Sequence, residues 1–510
     1  MVLLICLDPR YYLARQTGKL TRGMGTLQPR WGLPPCRQWD CQSKPMAIIR
    51  IIAALAIVCV VVVAAFVAFA WRSPIDPINR PDTTAFDPAL VARGAQLASA
   101  GNCMTCHTLP GGRAFAGGVA VATPVGILHS TNITPDADTG FGAWSPAAFT
   151  RAMREGVDRA GRHLYPAFPY DHFTLLDDDD LAALYAFLMT REPVRATSPV
   201  NEVTFPFNQR LLIAGWKLLF LRPGPYKADP AHTASWNRGA YLVEGLAHCG
   251  ACHTPRNLLG AETKSAFAGG DTEGWSAYAL NSASPAPVPW DSDALHFYLR
   301  NGWHGDHGIA RGPMAPVINN LDAISDADLG AVVGYFADIL GKPTEERRQA
   351  ARALLERVRA GDQSGAAKSA KTAAQAASAD EQTPGARIYQ SACAPCHESG
   401  RPLPFGGINL ALSTGPSGPN ARNVLNVVLW GLPAANGERA PIMPAFAGSL
   451  NDQQLTELLN FVRAQFGTGS PWTGIENDIR EARSGRRPVM ISPAHGSDAA
   501  SAIASQGDTQ

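Results

Sequence analysis

The sequence lacks an excess of charge of either sign. Its 510 residues include 44 Lys and Arg against 43 Asp and Glu, a formal net charge of +1, so there is no electrostatic case for a nucleic-acid partner. Charged residues are scarce, at 17%, whereas glycine (48) and proline (40) are frequent. This composition argues against a long coiled coil or large sheets and favours short helices joined by irregular loops. With 46% apolar residues, the chain can bury one or more cores.

Six of the ten cysteines form three pairs of identical spacing, each followed directly by histidine. The motifs are Cys103-Met-Thr-Cys106-His107, Cys249-Gly-Ala-Cys252-His253 and Cys393-Ala-Pro-Cys396-His397. C-x-x-C-H is the attachment motif of c-type haem. Two thiols on one face of a helical turn can form thioethers to the haem vinyl groups, while the adjacent imidazole ligates the iron. The sequence therefore predicts three covalently bound haem c groups.

Paired cysteines of this spacing have two other interpretations. A zinc site would need two further Cys or His ligands at a matching spacing. A redox dithiol of the thioredoxin type would need a βαβ context and would not repeat with histidine each time.

One long apolar segment stands near the N-terminus. Residues 51–71 carry no charge and are flanked by Arg50 and Arg72, which is long enough to cross the hydrocarbon layer as a helix. We predict a membrane anchor over 46–72, with a signal sequence cleaved after Ala68-Phe-Ala70 as the alternative. The basic residues before it put the N-terminus inside by the positive-inside rule. The remainder is then expected in the periplasm, tethered to the bacterial cytoplasmic membrane by a single pass.

The two ends of the chain show no apolar periodicity. Residues 1–45 are predicted to be a non-native or disordered extension, with Met46 as the true start. Residues 469–510 are predicted to be a disordered tail, because the end of the chain is rich in Ser, Ala and Gly.

Each C-x-x-C-H motif belongs to a repeated unit. A short amphipathic segment leads to each pair of cysteines and contains Arg93-Gly-Ala95, Arg238-Gly-Ala240 or Gly385-Ala-Arg387. Closing helices are predicted over 177–190, 325–340 and 451–466 from apolar residues at i, i+3, i+4 and i+7, with Asp177, Ser325 and Asn451 as N-caps.

The predicted fold is all-α, with three tandem class I-like cytochrome c domains behind the N-terminal transmembrane helix. The domains span 85–195, 230–343 and 385–468, joined by a linker over 196–229 and a helical, Ala-rich linker over 344–384. Because the second linker is the longer and looser one, the third domain is expected to be independently mobile.

The sixth iron ligand is predicted from proline-flanked loops. Met314 and Met443 each lie 12 residues after a glycine, Gly302 and Gly431, and a methionine thioether is a common axial ligand. The same spacing from Gly156 in the first unit reaches Phe168, whose ring cannot coordinate iron. The first haem is therefore either five-coordinate or uses another ligand, for which the candidates are Met153, His163 and His172.

The chain resembles the three-haem cytochrome c subunits of membrane-bound bacterial dehydrogenases, the group that accompanies alcohol and gluconate dehydrogenases. The resemblance covers residues 85–468 and rests on Cys103-Met-Thr-Cys-His-Thr108, Thr131-Asn-Ile-Thr-Pro-Asp136, Arg151-Ala-Met-Arg-Glu-Gly156 and Cys249-Gly-Ala-Cys-His-Thr-Pro-Arg256. It implies a relay in which a catalytic partner oxidises a substrate outside the cytoplasmic membrane and the haems pass electrons to ubiquinone or a terminal oxidase. The chain itself would be a non-catalytic subunit.

The partner is less closely defined by the resemblance. Alcohol dehydrogenase subunits usually have methionine where Phe168 stands. The form Leu164-Tyr-Pro-Ala-Phe-Pro-Tyr170 resembles subunits paired with molybdenum hydroxylases, which oxidise aldehydes or N-heteroaromatics. The resemblance thus implies a molybdenum-containing or a quinoprotein dehydrogenase. Two alternative functions stay open: a haem enzyme whose open first haem reacts with peroxide or gases, and a cytochrome subunit of a terminal oxidase.

Overall fold

The computed structural model describes residues 44–360, 383–401, 403, 405–433 and 441–484. The predicted extension over 1–45 lies almost wholly outside this range, as do residues 485–510. Contacts divide the chain after Ala65 into two units. The described part of the first unit is the apolar helix α1 (Lys44–Ala70), whose last residues belong to the second unit.

Helix α1 agrees closely with the predicted segment over 46–72. Its large side chains between Ile48 and Val63 are exposed, and within the described residues it is the one helix long and apolar enough to cross a membrane.

The second unit, from Phe66 onward, is mostly helical. The helices leading to the end of the first repeat are α2 (Pro88–Ala100), α3 (Cys103–His107), α4 (Pro146–Glu155), α5 (Tyr170–Phe173) and α6 (Asp178–Met189). Next come α7 (Leu212–Phe220), α8 (Ala234–Ala240), α9 (Gly250–His253), α10 (Ser292–Asn301), α11 (Met314–Leu321), α12 (Asp326–Leu340) and α13 (Glu345–Arg359). The last are α14 (Pro384–Ala392), α15 (Ala394–His397), α16 (Thr414–Ser417), α17 (Arg422–Trp430), α18 (Asp452–Phe466) and α19 (Ile475–Arg483).

Short antiparallel strands lie in the segments between the helices. The strands are β1 (Ala120–Thr123), β2 (Gly126–His129), β3 (Glu202–Val203), β4 (Gly270–Thr272), β5 (Trp275–Ala277), β6 (Trp303–His304) and β7 (Gly308–Ile309). They form a three-stranded sheet in the order β1-β2-β3 and the hairpins β4-β5 and β6-β7, with Val121 opposite Leu128 and Asp271 opposite Ser276 in register.

Three helix pairs organise this second unit: α2 with α6, α8 with α12, and α14 with α18. The closing helices match the predicted ranges to within a residue. Asp177, Ser325 and Asn451 each accept a hydrogen bond from the backbone N–H three residues on, which confirms the predicted N-caps.

Each pair crosses at a glycine of its first helix. A Cβ added to that glycine would overlap a backbone carbonyl oxygen of the closing helix, and the pairs are Gly94 with Ala183, Gly239 with Ala331, and Gly385 with Glu457. In two pairs the preceding arginine reinforces the crossing. Arg93 Nε donates to Asp180 Oδ1 at 2.8 Å, and Arg238 Nε donates to Asp328 Oδ1 at 2.7 Å. The glycines of the repeat are therefore required by close backbone approach.

The second repeat differs by one extra residue between its glycine and its first cysteine, compared with the first repeat. A π-helical stretch, Tyr241–Leu246, follows α8 directly. A π-bulge accommodates one additional residue within a helix, so Cys249 still arrives at the end of the helix pair.

Three sequence predictions need correction. Residues 469–484, predicted to be disordered, contain α19, and Trp472, Ile475 and Ile479 are buried in the core around α18, because an apolar face too short to stand out in the sequence packs on that helix. The linker over 344–384 begins with the predicted helix, but Leu354 of α13 belongs to the same core around α18. Residues 361–382 of this linker lie outside the described residues. The linker over 196–229 contains β3 and α7.

The glycine crossing yields a stability prediction. Gly239→Ala should destabilise the protein by about 1–3 kcal/mol, because the added methyl group forces the two helices apart. Gly330→Ala is the matched control on α12, where an added Cβ meets nothing within 4 Å, and it should be neutral or stabilise by about 0.5–1 kcal/mol. Thermal unfolding followed by circular dichroism measures both, and equal unfolding temperatures would refute the crossing argument.

Candidate haem-binding site

The three C-x-x-C-H motifs occupy equivalent positions at the ends of the helix pairs. Helices α3, α9 and α15 contain or directly follow the first cysteine of each motif and end at the histidine. The six cysteines are free thiols. Burial raises the pKa of Cys103 and Cys249 to about 12 and that of Cys393 to about 11. The first cysteines of the three motifs thus share one kind of environment.

Each motif histidine makes the same hydrogen bond. Nδ1 lies 2.6 Å from the Thr131 carbonyl oxygen in His107, 2.7 Å from that of Tyr278 in His253 and 2.7 Å from that of Ile408 in His397. Because a carbonyl oxygen only accepts, Nδ1 carries the proton and Nε2 keeps a free lone pair. Burial lowers the pKa of all three rings. A neutral imidazole held in one tautomer by a backbone carbonyl has the form required of an iron ligand.

A cavity of about 370 Å³ adjoins the second and third motifs. Its lining includes both pairs of cysteines, His253, His397, Met314 and Met443, among mostly apolar side chains. Trp275 and Arg311 also line it, and the buried donors Trp275 Nε1 and Arg311 Nε and Nη2 have no hydrogen-bond partner among the described residues. Haem combines an apolar ring with two carboxylates, so an apolar cavity with unpaired buried donors fits it.

The two predicted methionines stand in different local structures. Met314 is the first residue of α11, after the β6-β7 hairpin. Met443 exchanges backbone hydrogen bonds with Leu432, the residue after Gly431. Both nevertheless line the same cavity as their motif histidines.

In the first repeat, the loop that contains Phe168 has the same backbone hydrogen bond as the loop that contains Met314 in the second repeat. Leu164 N–H donates to the Gly156 carbonyl and Ala310 N–H donates to the Gly302 carbonyl, both at 2.7 Å. Phe168 and Met314 lie four residues beyond these donors. Phe168 therefore takes the position of Met314, and its ring packs 5.4 Å from that of Phe173, centroid to centroid.

The two histidines suggested as alternative ligands are both buried and hydrogen-bonded. His163 Nε2 donates to the Ala70 carbonyl at 2.8 Å, and its Nδ1 lies 3.1 Å from Lys217 Nζ. His172 Nδ1 lies 2.6 Å from the Glu244 carbonyl, and its Nε2 lies 2.7 Å from Glu262 Oε1. Both nitrogens of each ring are thus engaged in other interactions.

Met153 has no such competing partner. It is 8% exposed and lies in the core on α4, three residues before Gly156. Leu299 stands at the corresponding position before Gly302 and lines the cavity beside the second and third motifs. Of the three candidates, Met153 therefore has the environment closest to a haem pocket.

A buried polar cluster that the sequence did not reveal lies beside the second motif. It consists of Asp171, His172 and Glu262, the one group of three in the described part of the chain whose ligand atoms lie close enough to hold a metal ion. Burial acts to lower the pKa of His172, but the hydrogen bond to Glu262 and the charge of Asp171 outweigh it and raise that pKa to about 9. His172 is therefore protonated at neutral pH, and an ion pair explains the cluster without a metal.

The haem-binding motifs adjoin one another. His248, which precedes Cys249, has Nε2 3.4 Å from the carbonyl oxygen of Gly101, two residues before Cys103. On the other side of the second motif, Thr414 N–H donates to the His307 carbonyl at 3.1 Å. The second repeat thus contacts both other repeats, and the independent mobility expected of the third domain stays a prediction.

Comparison with known proteins defines the class first. The family model for "Cytochrome c" matches residues 91–192, and the model for "Cytochrome C oxidase, cbb3-type, subunit III" matches residues 380–462. Both regions contain a C-x-x-C-H motif and a Gly-containing helix pair. The chain is a c-type cytochrome, a class that binds haem covalently.

Relatives matched over most of their length define the family. The chain is 34% identical over 417 residues to the fructose dehydrogenase cytochrome subunit of Gluconobacter japonicus, covering 79% of this chain and 84% of the relative. It is 36% identical over 419 residues to the gluconate 2-dehydrogenase cytochrome c subunit of Pantoea cypripedii, covering 78% and 90%. The chain belongs to this family of cytochrome c electron-transfer subunits of membrane-linked dehydrogenases.

A third relative is much longer than this chain. The chain is 42% identical over 422 residues to a subunit of nicotinate dehydrogenase from Pseudomonas putida, and the match covers 82% of this chain but 34% of that protein. The chain thus spans about a third of that relative.

The His172 and Glu262 pair yields a pH prediction. The pKa of His172 in the folded protein, about 9, exceeds the value of about 6.5 in the unfolded chain. The contribution of His172 to the free energy of unfolding is therefore fully present below pH 6.5 and is lost as the pH rises through 9. Glu262→Gln should destabilise by about 1.5–3 kcal/mol at pH 6.5, because a charge-assisted hydrogen bond is weakened. The difference from the unmodified protein should shrink towards pH 9.

Thermal unfolding across pH 6–9.5 measures this difference. Glu202→Gln is the control, because Glu202 is 70% exposed and lies 3.7 Å from His129, a geometry typical of weak surface pairs. A loss of stability in Glu262→Gln that stays constant with pH would contradict the assignment of His172 as the protonated partner of Glu262.

Proposed function

We propose that this chain is a membrane-anchored cytochrome with three haem c groups that carries electrons from a periplasmic dehydrogenase to ubiquinone or a terminal oxidase. The observation that carries the proposal is the threefold recurrence of one arrangement. Each arrangement has a glycine-crossed helix pair, a C-x-x-C-H turn, and a histidine whose Nδ1 bonds a backbone carbonyl.

The proposed ligands follow from these three arrangements. The cysteines that attach haem are Cys103 and Cys106, Cys249 and Cys252, and Cys393 and Cys396. His107, His253 and His397 are the proximal ligands, and Met314 and Met443 are the sixth ligands of the second and third haems. The three domains are proposed over 85–195, 230–343 and 385–468.

The proximity of the motifs supports a relay along the chain. Bound haem supplies a one-electron iron couple. Because the second and third motifs share a cavity and the backbone beside the first motif contacts His248, the protein holds the second motif between the other two. We propose that the second haem is the central one.

The membrane assignment rests on α1. Its apolar surface is exposed along the helix, and an exposed apolar helix of this length is stable in a bilayer. With the basic residues before it on the cytoplasmic side, the haem domains face the periplasm.

For the catalytic partner we propose a molybdenum hydroxylase. The 42% identity to the nicotinate dehydrogenase subunit, whose name specifies an N-heteroaromatic substrate, supports this class, as does Phe168 in the loop. A quinoprotein alcohol or aldehyde dehydrogenase is the alternative partner. An oxidase subunit is less favoured, because that similarity is confined to residues 380–462.

The partner is tested on the native complex. Solubilised in mild detergent and isolated by its haem absorbance, the complex should contain molybdenum, and an aldehyde or N-heteroaromatic substrate should reduce its haems. The isolated chain is the control, and the same substrate should leave it oxidised. Pyrroloquinoline quinone without molybdenum would assign a quinoprotein partner, and a chain that purifies alone and reduces peroxide would contradict the relay.

A catalytic first haem is the second candidate function, because Phe168 occupies the Met314 position. We propose instead that Met153 supplies the sixth ligand there. Met153→Leu, which matches Leu299, should then remove the sulfur-to-iron charge-transfer band of one ferric haem and allow the reduced first haem to bind carbon monoxide. Met189→Leu is the control, since Met189 is fully buried on α6. Carbon monoxide binding by the unmodified protein would favour the open haem.

A further inference from the structure

A large apolar surface surrounds the point where α1 joins the second unit. Helix α7 turns Ile213, Ala214 and Lys217 inward, yet its outward side is also apolar. Exposed large hydrophobic residues on and around α7 are Phe205, Phe207, Leu211, Leu212, Leu218, Leu219, Leu258 and Leu259. A helix at a protein–water boundary normally has a polar outer face, so this surface is suited to an apolar environment.

The surface is contiguous with the last residues of α1, Phe66 to Ala70, which belong to the second unit. Gly215 of α7 lies against the ring of Phe66, with 3.6 Å between a Cβ built at Gly215 and Phe66 Cε2. Phe66 is five residues before Trp71, which is 66% exposed just after α1 ends. At a rise of about 1.5 Å per residue, α7 meets α1 about 7.5 Å below Trp71. The contact with α7 therefore lies close to an exposed tryptophan, a residue type enriched at membrane interfaces.

The charge of the segment also suits a membrane surface. Residues 203–228 contain no Asp or Glu, and their basic residues other than the buried Lys217 are Arg210, Arg222 and Lys227. Basic residues beside an apolar face are attracted to anionic lipid headgroups. Trp216, whose Nε1 donates to the Leu259 carbonyl at 2.9 Å, lies within the surface, and tryptophan is enriched at membrane interfaces.

The surface is fixed to the first haem-binding repeat by the buried side chain of Lys217. Lys217 Nζ donates to the carbonyl oxygens of Glu155 and Gly156, both at 2.6 Å. These carbonyls end α4, the helix that carries Met153. These hydrogen bonds hold α7 against the first haem-binding repeat.

We propose that the exposed face of α7, with the flanking loops at Phe205 and Leu258, lies in the outer lipid interface of the membrane that α1 enters. This inference rests on the proposed anchoring by α1 and extends it. A single helix tethers a domain without orienting it. A second apolar contact holds the first haem-binding repeat in one orientation against the bilayer.

Photocrosslinking of the full chain in native membranes tests the proposal. Leu218→p-benzoylphenylalanine, on α7, should yield a phospholipid adduct by mass spectrometry after illumination, and Leu219→p-benzoylphenylalanine gives a second position. Phe405→p-benzoylphenylalanine is the control, because Phe405 is 75% exposed in the third repeat, and it should yield no lipid adduct. An unchanged haem spectrum verifies that each variant is assembled.

Two outcomes would overturn the inference. An adduct between position 218 and another protein would show that a partner covers this face, and no adduct of either kind would show that it faces water. Retention after alkaline carbonate washing tests the α1 anchor separately. A chain released by that wash would refute the anchoring proposal, whereas a retained chain without lipid adducts would refute only the role of α7.

Discussion

The close backbone crossing of each helix pair is the constraint on which the rest of the structure depends. At Gly94, Gly239 and Gly385 the absent side chain lets the first helix lie directly on a carbonyl oxygen of the closing helix. This contact fixes where the first helix ends, and therefore where the C-x-x-C-H turn begins. In the second repeat the π-helical stretch Tyr241–Leu246 accommodates the extra residue between Gly239 and Cys249.

From that fixed turn the electrostatics of the site follow. The motif histidine is held by one backbone carbonyl, which selects the tautomer with a free Nε2, and burial keeps the ring neutral. Burial also raises the pKa of the first cysteine of each motif. The same packing brings the motifs together, so that the second contacts elements of both neighbours. Packing of the three repeats thereby places their C-x-x-C-H motifs next to one another, an arrangement suited to electron transfer.

Much of this could be predicted from the sequence because the signals are local. The caps at Asp177, Ser325 and Asn451 follow from side chains that bond their own helix, and the motifs from a fixed spacing. Non-local contacts could not be predicted in this way. His163 and His172 look like loop residues, but partners 93 and 90 positions away bury them. Helix α19 lacks a long apolar run and is stabilised by α18, and the equivalence of Phe168 and Met314 needed the paired backbone hydrogen bonds to be established.

The central claim is that all three turns carry covalent haem, and the haem content of the chain tests it most directly. Intact-mass measurement of the purified full chain, with peptide mapping of the six motif cysteines, should show three haem additions and a thioether on every one of these cysteines. A chain with fewer haems, in which one cysteine pair is found as free thiols, would contradict the account, because the structure gives the three turns the same supporting contacts.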